Sequence, residues 1–88
     1  MSQAKVLGII GGGQLGSMLC QAAKKVNIKT VIYCDDKNAP AQNFSDQFIN
    51  SSYENINNIT EFSNLVDVVT FEFENIPVPT LEIIKKIK

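Results

Sequence analysis

Two clusters of residues in this sequence have types and spacings that can do chemistry. The first is Gly11, Gly13 and Gly16, set as G-x-G-x-x-G within the run VLGIIGGGQLGSM at residues 6–18. After an apolar strand and at the start of a helix, that spacing lets the backbone turn sharply and approach a ligand. Free N–H groups and the helix dipole there attract an anion. A phosphate is the natural occupant. A dinucleotide, a nucleotide and a sugar phosphate all fit, and a tight turn that only packs the helix close to the sheet is the competing reading. The second cluster is DVVTFEFE at residues 67–74. Period-two alternation sends Thr70, Glu72 and Glu74 to one side and Val69, Phe71 and Phe73 to the other. In a sheet ordered 3-2-1-4 this strand's end lies beside the glycine turn, in the crevice where open α/β sheets bind ligands. A carboxylate there suits ribose hydroxyls or an amine rather than a phosphate, so turn and acid together describe a phosphorylated riboside. Against this stands a solvated strand-end carboxylate for Glu72 and, favoured for Glu74, an acid that shapes the loop beside Asn75.

Asp35 and Asp36 form a smaller acidic signal about 20 residues beyond the glycine turn, where a dinucleotide fold keeps an acid for a ribose hydroxyl. That supports a nicotinamide ligand. On local grounds a polar loop, DDKNAP, whose acids cap the backbone or face water, is an equal alternative.

The elements that must position these groups alternate as β and α. Val6, Leu7, Ile9 and Ile10 read as a strand buried on both faces. Leu15, Met18, Leu19, Ala22, Ala23 and Val26 follow the i, i+3, i+4, i+7 pattern of an amphipathic helix whose apolar stripe is expected to face the sheet. Lys24 and Lys25 suit its last turn, and Asn27 suits a left-handed cap. KTVIYC (Lys29–Cys34) is a second strand. Residues 40–45 form one helical turn, and QFIN (Gln47–Asn50) a short third strand. Ile56, Ile59, Phe62 and Leu65 mark a helix covering the sheet, within the polar stretch 51–65. The fourth strand is 67–74, and Pro79 introduces a last helix at residues 80–88. No glycine cap or polar tail follows Lys88, so the chain reads as cut. The expected fold is α/β, a Rossmann-like parallel sheet of about four strands with helices on both faces.

Composition narrows the function classes. The 88 residues make one small domain with a formal net charge of -1, which gives no case for nucleic acid. No apolar run approaches a membrane span or a signal peptide, so the expected location is cytosolic. Cys20 and Cys34 are too far apart for a C-x-x-C site and read as small buried hydrophobes. Histidine and arginine are absent, and all eight basic residues are lysines. Neither an imidazole base nor a guanidinium clamp is available from this chain.

The two informative stretches together resemble a known family. GIIGGGQLG at 8–16, the helix with Ala22, Ala23, Lys24 and Lys25, DDKNAPA at 35–41 and VVTFEFENIP at 68–77 are similar to N5-carboxyaminoimidazole ribonucleotide synthetase. The resemblance covers nearly the whole chain. It implies the pre-ATP-grasp domain of an ATP-grasp ligase of purine biosynthesis. In that reaction ATP and bicarbonate carboxylate the amine of 5-aminoimidazole ribonucleotide. Further implications are ATP and Mg2+ bound in later domains outside this sequence, no catalytic residue or metal ligand here, no nucleic acid or membrane partner, and a homodimer when full length. The 88 residues would then be the substrate-binding first domain (1–88), inactive alone. Residue by residue, the resemblance assigns Gly13, Gln14, Leu15 and Gly16 to the phosphate and neighbouring ribose, and Glu72 to the ribose or amine. Ser17 departs from the arginine the family commonly carries after GQLG, and the Asp35 loop becomes structural. Two alternatives stand beside this. One is a nicotinamide-binding domain of a truncated oxidoreductase, argued from Gly11, Gly13, Gly16 and Asp35; the other is an interaction module with no ligand. A cut domain further predicts exposed apolar surface where its neighbours are missing.

Overall fold

The structure, a computed structural model, describes residues 5–72 and 76–87. Four parallel strands, β1 (Val6–Ile10), β2 (Lys29–Cys34), β3 (Gln47–Asn50) and β4 (Val68–Phe71), form one sheet in the order β3-β2-β1-β4. Parallel strands need helical crossovers. Helix α1 (Gln14–Lys25) links β1 to β2, and a short 3-10 turn (Pro40–Asn43) precedes β3. Helix α2 (Ile56–Leu65) links β3 to β4, and α3 (Val78–Ile87) follows β4. The layout is the α/β sheet expected from the sequence. Among the described residues no helix is long and apolar enough to cross a membrane.

Side chains alternate between two cores. Ile9, Ile32 and Cys34 pack with Cys20, Ala39 and Ala41 on the α1 face. Ile10, Val31 and Tyr33 pack with Ile59, Phe62, Val66 and Ile84 on the face covered by α2 and α3. Ile9, Ile10, Ile32 and Tyr33 are fully buried, as strands sandwiched on both sides must be. The entrances of the flanking strands are tied by acids. Asp46, just before β3, accepts from the Thr30 N–H at 2.8 Å. Asp67, just before β4, accepts from the Val6 N–H at 2.8 Å. Each carboxylate satisfies an amide at the start of a neighbouring strand, where the ladder offers no partner.

The helix ends follow local chemistry. Asn27 takes φ 61°, and the Asn27 and Ile28 N–H groups return to the Lys24 and Ala23 carbonyls at 3.2 and 2.9 Å, closing α1 with a Schellman motif. Asn55 Oδ1 accepts from the Asn58 N–H at 3.1 Å and caps α2. Helix α3 starts at Val78, two residues earlier than the sequence suggests, which places Pro79 inside the first turn, where its missing N–H is harmless.

Three expectations are corrected. The bulky stripe of α1 does not face the sheet: Leu15, Met18, Leu19 and Val26 are 59, 57, 37 and 65% exposed. The buried face is Gly16, Ser17, Cys20 and Ala23, small residues that let the helix lie close to the strands. On α2 only Ile59 and Phe62 reach the core, while Ile56 and Leu65 are exposed. Steps of three residues drift about 60° around a helix, so four such positions cannot share one face. Among the described residues strand β4 spans Val68–Phe71, starting one residue later than expected, because the Asp67 side chain accepts from the Val6 N–H instead of joining the ladder; residues 73 and 74 of the expected strand lie outside the described residues.

Candidate functional site

The carboxyl ends of β1, β2 and β4 converge on one cleft of about 270 Å³. Its walls are Gly11, Gly12 and Gly13 after β1, Cys34 at the end of β2 with Asp35 and Asp36 beyond it, Ala39 and Pro40 at the start of the 3-10 turn, Tyr53, and Glu72 after β4. This is the crevice at a topological switch point where open α/β sheets bind ligands, since the crossover from β1 to β2 through α1 and that from β3 to β4 through α2 run on opposite faces of the sheet.

The glycine turn is fixed strand by strand. The Gly11 N–H donates to the Tyr33 carbonyl at 2.8 Å, and the Gly12 carbonyl accepts from the Ala41 N–H at 3.0 Å. Gly11 has φ 112°, a backbone that side chains rarely adopt. At Gly16 an added Cβ would stand 3.0 Å from the Gly11 carbonyl and 3.5 Å from Ala41 Cβ, so glycine there sets the closeness of helix to turn. Helix α1 begins at Gly13 with no side-chain cap. The Ser17 N–H makes the first helical bond, to the Gly13 carbonyl at 3.0 Å, leaving the amides of Gln14, Leu15 and Gly16 without intrahelical acceptors.

Glu72 stands directly over this helix start. Its own N–H donates to the Ile10 carbonyl at 2.9 Å, continuing the β1–β4 ladder by one residue. Its carboxylate Oε2 accepts from the Gly13 N–H at 3.2 Å. The strand order on which the meeting of turn and acid was conditional, β3-β2-β1-β4, is the one observed, and it brings the glycine turn and the first acid of EFE into contact. Glu74 lies outside the described residues.

The other assigned residues take different positions. Gln14 and Leu15 are exposed on the first turn of α1, and neither lines the cleft. Gly16 is buried against Gly11 and Ala41 rather than turned to the opening. Ser17 is buried, and its hydroxyl donates back to the Gly13 carbonyl at 3.3 Å. Asp35 is exposed on the β2 side of the cleft. Asp36 Oδ1 accepts from the Asn38 N–H at 2.9 Å, an Asx turn that shapes the loop. Among the described residues no group of three or more His, Cys, Asp or Glu side chains is placed to hold a metal ion.

Tyr53 is the lining residue that sequence reasoning missed. It is buried, its ring centroid lies 6.0 Å from that of Tyr33, and burial, with Cys34 and Asp35 beside it, pushes its phenol well above the ordinary value of 10.0. Tyr53 therefore stays protonated at neutral pH. Nothing periodic marks it in the polar run after β3; its position just beyond the carboxyl end of a parallel strand is the usable signal.

Comparison with known proteins shows the family of this domain. The family described as the ribonucleotide synthetase preATP-grasp domain matches residues 4–88. Phosphoribosylaminoimidazole carboxylase of Saccharomyces cerevisiae is 43% identical over 81 residues, which cover 90% of this chain and 14% of the yeast protein. N5-carboxyaminoimidazole ribonucleotide synthase of Staphylococcus saprophyticus is 38% identical over 76 residues, 86% of this chain and 20% of that protein. Among solved structures, an ADP complex of N5-carboxyaminoimidazole ribonucleotide synthetase superimposes with a TM-score of 0.91 at 39% identity, covering 99% of this chain and 23% of that one. The ADP complex of the Staphylococcus aureus N5-carboxyaminoimidazole synthetase gives 0.90 at 32% identity, covering 98% and 23%. The sequence thus spans less than a quarter of each of these relatives.

Proposed function

The chain belongs to the ribonucleotide synthetase preATP-grasp family, and from that premise we propose that it is the substrate-facing first domain of an ATP-dependent ligase that carboxylates 5-aminoimidazole ribonucleotide with bicarbonate in purine biosynthesis. The observation that carries the reading is the contact between the glycine turn and Glu72 in one cleft. In this reading the amides at Gly13, Gln14, Leu15 and Gly16 receive the substrate phosphate, the Gly13 N–H giving up its contact with Glu72 and the other three having no intrahelical acceptor, aided by the dipole of α1. Glu72, across the turn, accepts from a ribose hydroxyl or the substrate amine. These residues bind and orient; none is a catalytic group.

A solved relative is an ADP complex, and ATP and Mg2+ are assigned, as the family resemblance implies, to parts of the longer enzyme outside this sequence. There ATP supplies the activation that joins bicarbonate to the amine. The 88 residues alone do not turn over, and a cytoplasmic homodimer is the expected full-length state. The dinucleotide reading built on Asp35 is not favoured, since the named relatives are ribonucleotide enzymes.

Calorimetric titration of the chain with 5-aminoimidazole ribonucleotide, its dephosphorylated ribonucleoside and NADH tests this. The ribonucleotide is expected to saturate one site, the ribonucleoside to bind about tenfold or more weaker for want of its phosphate, and NADH to give no heat. Saturation by NADH with no response to the ribonucleotide would overturn the proposal.

A further inference from the structure

We propose that Glu72 is the resident anion of the glycine turn: it sits on the Gly13 amide when the site is empty, a substrate phosphate displaces it, and only a phosphate that carries a sugar offsets the exchange. The inference rests on the phosphate reading above and adds a selectivity device to it.

The contact itself shows what the turn attracts. Glu72 Oε2 lies 3.2 Å from the Gly13 nitrogen, and Oε1 lies 2.9 Å from where a Cβ on Gly13 would stand. The carboxylate is therefore laid against the backbone of residue 13, an approach only glycine admits. Gly13 is the first residue of the turn's helical end, and no side chain caps α1 there. The carboxylate thus occupies the amide that leads into the row of unpaired N–H groups.

The cleft's charge makes this occupation consequential. Among the described residues its lining carries Asp35, Asp36 and Glu72 and no lysine, so at the glycine turn the donors that meet an entering anion are backbone N–H groups. One N–H has one proton to give, and a phosphate in contact with a carboxylate is repelled by it. Phosphate on Gly13 therefore requires the Glu72 side chain to rotate away, while its backbone stays tied to Ile10. Once rotated, the carboxylate has lost its donor. Ribose hydroxyls beside the phosphate supply new, uncharged donors set apart from the anion, whereas inorganic phosphate offers only the P–O–H of the very group that repels the carboxylate. A single residue then excludes the bare anion from the empty site and reads the sugar in the filled one.

The test titrates wild type, Glu72→Gln and Glu72→Ala with inorganic phosphate and with ribose 5-phosphate, by calorimetry and by the amide signal of Gly13. Both variants are expected to bind inorganic phosphate about tenfold tighter than wild type, because no charge must be expelled. Their preference for ribose 5-phosphate over inorganic phosphate is expected to shrink by a similar factor. Circular dichroism checks that each variant is folded. If wild type binds inorganic phosphate as tightly as the variants, the exchange is wrong while the phosphate site stands. If none of the three binds either ligand, the phosphate site falls and the exchange with it.

Discussion

At the scale of single residues, burial decides more than identity. Cys20, on the buried face of α1, is 1% exposed, and burial raises its thiol above the ordinary 9.0, outweighing the lowering effect of its hydrogen bond with Thr30. The unfolded chain loses that proton from about pH 9 while the folded chain keeps it, so the folded state binds more protons there and stability falls as pH rises. Tyr33 and Tyr53, both raised by burial from 10.0, extend the loss to higher pH. Thermal unfolding is expected to give a Tm that is flat to about pH 8.5 and falls above it, with Cys20→Ala delaying the fall toward the tyrosine range. An unchanged profile in the variant would assign the loss elsewhere. Single residues were unevenly legible. Both cysteines read correctly as buried because small sulfur side chains in apolar periodic segments have little else to do. Asp46 and Asp67 did not stand out, since an acid that ties a strand entrance looks in sequence like any polar residue before a strand.

At the scale of elements, α1 is where hydrophobic pattern and packing part. Its bulky residues and its buried small ones, Gly16, Ser17, Cys20 and Ala23, sit one position apart, a rotation of about 100°. A pattern search weights leucine, methionine and valine over glycine and alanine, and so selects the wrong face. Closeness to the sheet, demanded by Gly16 against Gly11, selects the other. Ala23→Leu is therefore expected to destabilise by about 1–3 kcal/mol through overpacking. Met18→Glu is expected to change stability by less than about 0.5 kcal/mol while lowering the binding of an apolar dye to the exposed stripe. Urea unfolding and dye fluorescence read the two effects separately; equal losses from both substitutions would mean that the stripe is buried after all. The strands were easier, because Val6–Ile10, Lys29–Cys34 and Gln47–Asn50 are short, apolar or β-branched, and bounded by turn residues.

At the scale of the whole molecule, the order β3-β2-β1-β4 is what makes a site. It sets an element late in the chain, β4, against the first, so that Glu72 meets a turn 59 residues earlier in sequence. That juxtaposition was legible only on the supposition of a sheet ordered 3-2-1-4, as in doubly wound folds that open with a strand, a glycine turn and a helix. The cleft's far wall was not, because Tyr53 comes from an irregular segment whose path depends on tertiary packing. The central claim is that the glycine turn and Glu72 receive a ribonucleotide. An NMR titration of the isotopically labelled chain with 5-aminoimidazole ribonucleotide tests it most directly. Saturable shifts are expected at the amides of Gly11, Gly13, Gln14, Leu15, Gly16 and Glu72, with the Lys24–Lys25 end of α1 unmoved. Shifts confined to other surfaces, or no saturable shift at these amides, would contradict the account.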